Sequence, residues 1–167
     1  MIPTRFHLAT LLSCCLAVNC CSQNISSDLP NVDVFVGSTP CDDLIKSSLG
    51  IPAESTCEFI KWELSLSESK NDPAVFQLTV LYGESQPNTN GFKGGGKKIE
   101  AAGKYTVNNK TNERTHLNVY NLHSEKFTTS LFLIQMDDNI LHFADSAKKF
   151  IVGNGGFGYV LNRMESH

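Results

Sequence analysis

The sequence predicts a mainly β fold, an antiparallel meander closed into an eight- or nine-stranded barrel with one short helix. Three observations carry this. From Cys57 onward apolar residues recur every second position in one short run after another, as strands with one buried face require. Turn formers such as "KNDP", "NNKTN", "MDDN" and "NGG" separate the runs. So many short strands leave exposed edges unless the sheet closes on itself or folds over as a sandwich.

Folded sequence starts near Val32, where "VDVFVG" alternates and is rich in β-branched residues. The next stretch, "STPCDDLIKSSLGIP", has helical signals: Thr39 as cap, Pro40 in the first position, Asp42 as an early acid, and Gly50 with Pro52 as a stop. Leu44, Ile45 and Leu49 would give this helix one apolar face. In "CEFIKWELSL" Ile60, Trp62, Leu64 and Leu66 share a face, and in "AVFQLTVLYG" Phe76, Leu78, Val80 and Tyr82 do the same. "KKIEAAGKYTV", "THLNVYNL", "SLFLIQM", "NILHFA", "KFIV" and "FGYVLNR" complete the set. Gly103, inside its strand, marks a bend or bulge. Residues 83–98, "GESQPNTNGFKGGGKK", form a long glycine-rich connection among tight turns and read as a functional or mobile loop.

Ahead of the domain, Arg5 precedes a largely apolar run from Phe6 to Val18, the length of a secretory h-region and short of a membrane span. Four of the six cysteines crowd its end. A bacterial lipoprotein signal needs small residues followed by a cysteine, whose thiol takes up the diacylglycerol. Cys20 after Ala17-Val18-Asn19 is the preferred lipidation site, with Cys14 and Cys21 as alternatives. An ordinary secretory signal whose cysteines fill the h-region competes with this reading. Each buried methylene of an acyl chain contributes about 0.8 kcal/mol, so a multiply acylated cysteine would anchor the domain without spanning the bilayer. The organisation expected is a signal peptide over 1–19, a flexible tether over 20–31 and a barrel over 32–163. Outside the cytoplasm Cys41 and Cys57 are natural disulfide partners. The chain has no Cys-x-x-Cys, which counts against a redox or metal role for the pair.

Composition narrows the function. The 167 residues suit one domain, and a net charge of −3 gives no footprint for nucleic acid. With 41 % hydrophobic residues the chain can close a core without a metal.

The segments "VGSTPCDD", "CEFIKWELSL", "GKYTV" and "ILHFADSAKKFIVGNGGFGYVLNR", in this order, resemble the amino-terminal domain of NlpE-type envelope lipoproteins. Gly37, Pro40 and Cys41 match that family's first motif, Gly103 and Tyr105 the middle one, and Tyr159 with Leu161 the last. The resemblance covers about residues 32–163 and implies a small lipocalin-like barrel in the envelope, at the outer membrane, with envelope stress sensing as its setting. The family continues its first motif into Cys-x-x-Cys, whereas Asp42, Asp43 and Leu44 follow Cys41 here, which weakens any carry-over of copper binding. The triplet at Asp145–Ala147 resembles an O-glycan acceptor of Bacteroidetes envelope proteins, with Ser146 as the acceptor and a plain exposed turn as the competing reading.

Other candidates weigh less. In "GFKGGGKK", Gly91, Gly96 and Lys97 have phosphate-loop spacing, but Lys98 replaces the magnesium-binding hydroxyl and no β-loop-helix unit surrounds it. His116, His123, His142 and Met136 would suit copper if their strands met. Asp42 with Asp43, and Asp137 with Asp138, fit a helix's first turn and a hairpin turn better than acid–base chemistry. Trp62 and the phenylalanines pack the core or line a ligand pocket in the barrel mouth. The sequence offers no nucleophile elbow and no zinc-protease helix. The expectation is a non-catalytic lipoprotein without cofactor or bound metal, attached to the membrane by palmitate-type acylation and binding a small apolar ligand or an envelope protein. A structural or inhibitory interaction module, and a copper or redox sensor using Cys41 and Cys57, are the rival readings.

Overall fold

The computed structural model describes residues 31–68, 73–112 and 115–165. Lipidation candidates Cys14, Cys20 and Cys21 lie outside them, as do the expected signal peptide and nearly all of the expected tether. Eight antiparallel strands close into a barrel in simple meander order: β1 (Asn31–Pro40), β2 (Phe59–Glu68), β3 (Val75–Gly83), β4 (Lys97–Asn112), β5 (Thr115–His123), β6 (Leu131–Asp137), β7 (Ile140–Ala144) and β8 (Val160–Arg163). One helix, α1 (Asp43–Leu49), follows β1. The ninth expected strand, "KFIV", is reduced to a single bridge between Phe150 and Ala144, because the glycine-rich turn after it carries the chain away before a ladder can form.

Alternation fills the barrel. Ile60, Trp62, Leu64 and Leu66 of β2 and Phe76, Leu78, Val80 and Tyr82 of β3 are all buried, and they meet Phe35, Ala101, Tyr105, Leu122, Leu133, Phe143 and Leu161 in one cluster. Trp62 packs against Phe143 with ring centroids 4.7 Å apart. Its indole N–H donates to Thr39 Oγ1 at 2.9 Å, and the Thr39 hydroxyl in turn donates to the Pro40 carbonyl. This corrects the expected helix start. Thr39 and Pro40 belong to β1, and Asp42 is the cap, its Oδ1 accepting from the Ile45 amide at 2.9 Å. A buried indole needs an acceptor more than the helix needs a second cap.

Two glycines let strands approach closely. A Cβ on Gly37 would overlap the Val160 carbonyl oxygen where β1 meets β8, and one on Gly103 would overlap the His123 carbonyl where β5 crosses β4. The bend or bulge expected at Gly103 is absent from the register, which runs unbroken from Lys97 to Lys104; the glycine serves the close approach of β5 instead.

The two ends of the barrel differ. At one, α1 lies across the opening with Ile45 and Leu49 buried. Tyr159 donates its hydroxyl to Asp42 Oδ2, the Cys41–Cys57 disulfide joins the end of β1 to the approach to β2, and Phe59 stacks between Phe92 and Phe157. The opposite rim is polar and aromatic: Tyr105 and Tyr120 lie 5.8 Å apart, Gln135 accepts from Asn118 and Tyr120, and Arg163 pairs with Asp33.

Candidate functional site

Strand register creates an opening in the barrel wall. β3 pairs with β4 over Lys97–Lys104, but β5 pairs with β4 only from Lys104 to Asn112. Along its first half β4 therefore has no strand on its β5 side among the described residues. The connection between β5 and β6, residues 124–130, fills part of that space. Phe127 stacks on Phe76 with centroids 5.8 Å apart. Thr128 and Thr129 tie the connection to Ser48 of α1.

A groove of about 590 Å³ remains beside the strand, lined among others by Leu78, Glu100, Ala102, His123, Glu125 and Lys126. The Tyr105 amide donates to Ala74 on the β3 side, so strand alternation aims the backbone groups of Lys98, Glu100 and Ala102 into the groove. Two of their carbonyls are occupied by side chains: Ser124 Oγ donates to Ala102 O at 2.8 Å and Lys126 Nζ to Glu100 O at 2.5 Å. The Glu100 carboxyl is held below its usual range first by its hydrogen bond to Lys98, then by the charges of Lys98 and Lys126.

Other openings are shallower in chemistry. A hollow of about 770 Å³ lies over the outer side of β1, with Val32, Val34, Val36 and Met164 along it, and one of about 200 Å³ lies between α1 and the start of β6. At the rim, burial first and then the carboxylate of Glu68 push the Tyr105 hydroxyl up to about 12. Burial also raises Tyr120, followed by the charge of Asp33.

The candidates named from sequence fall as follows. Cys41 and Cys57 are joined as a disulfide, Cα to Cα 5.7 Å, so neither sulfur is a free thiolate for copper. His123 Nδ1 shares a hydrogen bond of 2.8 Å with Ser130, while His142 bonds the Phe143 carbonyl and lies edge-on to Phe150. Met136 is exposed on β6, and His116 lies in β5. Among the described residues no three His, Cys, Asp or Glu side chains come together as a metal site. The Ser130–His123 pair was not foreseen; no carboxylate among the described residues is bonded to that imidazole, so the base lacks an orienting group.

Asp43 stands in the first turn of α1, and Asp137 Oδ1 accepts from the Asn139 amide in the β6–β7 turn, which Asp138 shares, so both acid pairs have structural places. Ser146 is exposed in the turn after β7, where Asp145 caps the Lys149 amide. Gly91 and Gly96 belong to a connection pinned by the Ser85–Phe92 bridge, and Lys97 is the first residue of β4. Gly96 has φ of 76° and a Cβ there would press on Phe92, and β4, not a helix, follows at Lys97, which removes the phosphate-loop reading. The expected mobile loop is thus held at its middle by Phe92 packing on Phe59.

No known protein family, no curated protein and no solved structure matches this chain. Among the described residues no helix is long and apolar enough to cross a membrane.

Proposed function

We propose that the chain is a non-catalytic lipoprotein of the bacterial envelope whose barrel works as an interaction module, meeting an envelope partner at its outer wall. The observation that carries this reading is the filled interior: Phe76, Phe143, Leu64, Leu133, Leu141 and Leu161 are all almost wholly buried along the barrel axis. A cup for a small apolar ligand would leave that space open. The groove along β4 offers instead exposed backbone and charge, the chemistry of a protein contact. The cysteine-rich end of the apolar leader and the resemblance to NlpE-type lipoproteins support the anchor and the envelope location. The same resemblance supports stress sensing as the setting, and exposed Ser146 fits O-glycosylation.

Two measurements test the proposal. Cells fed labelled palmitate should label the wild-type chain, and Cys20→Ala should lose the label. If Cys20→Ala, Cys14→Ala and Cys21→Ala all label like wild type, the anchor falls. A photo-crosslinking residue at Gln77, beside the groove, should capture one discrete envelope protein that the same residue at Glu54, near the plugged end, does not. Equal capture at both positions, or none at Gln77, removes the module.

A further inference from the structure

Among the described residues no strand pairs with the half-strand Lys98–Ala102 on its β5 side, yet its acceptors are not idle. Glu100 O and Ala102 O, two residues apart, receive Lys126 Nζ and Ser124 Oγ, themselves two residues apart. A neighbouring antiparallel strand would supply donors with this spacing from its own amides. The two side chains therefore stand in for a missing strand, and both are partly or fully exposed, so they can swing away without opening the core.

We propose that this edge of β4 is a strand-addition site for an extended peptide segment of a partner protein, with a basic residue on the peptide opposite Glu100. The inference rests on the interaction-module reading and names its mode of contact. Three features define the peptide. Main-chain pairing to Glu100 and Ala102 requires an extended backbone with free amides. On the inner side of β4, Ala101 and Gly103 present little bulk, so alternate peptide residues facing inward are small or β-branched and come to rest near Leu78 and Phe127. Facing outward, Glu100, already paired with Lys98, and Glu125 line the groove, and displacement of Lys126 removes the second lysine charge from beside Glu100. A lysine or arginine on the peptide restores that charge. At about 3.4 Å per residue, the five residues Lys98–Ala102 match a peptide of about five residues.

The probe is a fluorescent, end-blocked Thr-Val-Lys-Val-Thr peptide, which sets its lysine opposite Glu100 and its valines inward, titrated into the full-length chain in detergent and followed by anisotropy and by amide hydrogen exchange. Wild type should bind it, with new protection at the Glu100 and Ala102 amides. A copy of the peptide methylated on alternate amide nitrogens should bind at least tenfold more weakly. The double variant Ser124→Ala, Lys126→Ala should bind about tenfold more tightly, because the peptide no longer competes with the stand-in donors. Ala102→Pro, whose lost N–H points into the groove and not into the β3 ladder, should weaken binding. Equal binding of the methylated peptide overturns the proposal, as does unchanged or weaker binding by the double variant, or protection that appears elsewhere. A Gln77 crosslink to a partner that persists while the peptide fails to bind leaves the module standing and removes strand addition.

Discussion

Gly37→Ala is a sharp test of how the barrel closes. At the seam β1 pairs with β8 through two register positions only, Phe35 with Arg163 and Val36 with Asn162, helped by the Met164 amide donating to Val34 O at 2.7 Å. A methyl group on Gly37 would overlap the Val160 carbonyl oxygen and lie 2.8 Å from Leu161 Cδ2 and 3.2 Å from Leu161 Cα. Two of those three atoms are backbone, so relief means moving β8 and not rotating a side chain. Overpacking costs about 1–3 kcal/mol, and a seam hydrogen bond lost in the shift adds about 1 kcal/mol. We expect a loss of about 3 kcal/mol, a large share of the roughly 5–15 kcal/mol typical of a domain. At about 2 kcal/mol per molar urea the midpoint should fall by about 1.5 M. Trp62 is the only tryptophan and is buried against Phe143, so its fluorescence reports the transition directly. Gly155→Ala, with nothing within 4 Å of the added carbon, is the control. A Gly37→Ala change within about 0.5 kcal/mol, the range of an ordinary surface substitution, would refute the claim that the seam is closed by backbone contact.

Other perturbations have equally definite outcomes. Reducing the Cys41–Cys57 bond, which spans a separation of 16 residues, should lower stability by about 3 kcal/mol in the chain-entropy model; urea melts with and without dithiothreitol measure it. Thr39→Val leaves the Trp62 N–H buried without an acceptor and should cost about 1–3 kcal/mol, with a shifted Trp62 emission maximum in the native state. Burial, then Glu68, raise Tyr105 to about 12 in the fold from an ordinary 10. Its stabilising contribution is therefore complete below pH 10 and declines as pH rises through 12, since the unfolded chain ionises first. Urea midpoints between pH 8 and 12 should fall in that upper window, and Tyr105→Phe should flatten the fall. Phe127→Ala removes the ring stacked on Phe76 and should destabilise by about 3 kcal/mol or less, being only partly buried; a loss above 5 kcal/mol would make residues 124–130 an essential wall.

Much of the fold was legible because a strand's period is local. Ile60, Trp62, Leu64 and Leu66 declare their inward face in seven consecutive letters, and so do Phe76 to Tyr82. Oxidation of Cys41 with Cys57 followed from the reading of compartment, and the structure brings them together. The helix start was misread because Thr39, Pro40 and Asp42 all satisfy capping rules; only the distant Trp62 decides that Thr39 serves the core. "KFIV" has strand composition but no partner long enough to hold it. The opening along β4 could not be read at all. It arises from the stagger between β3 and β5, a property of register across three strands, and Ser124 and Lys126 are unremarkable letters until that stagger places them over Ala102 and Glu100.

Strand β1 begins at Asn31 opposite Glu68, on the same rim as Tyr105 and Arg163, while α1 and the disulfide plug the far end. The proposed lipid on Cys20 would therefore be joined to the barrel at this rim, through ten residues that span about 35 Å at full extension. The end closed by α1 and the disulfide lies opposite the rim where the chain enters, and the groove along β4 lies on the wall between the two, so a partner seated there would block neither end.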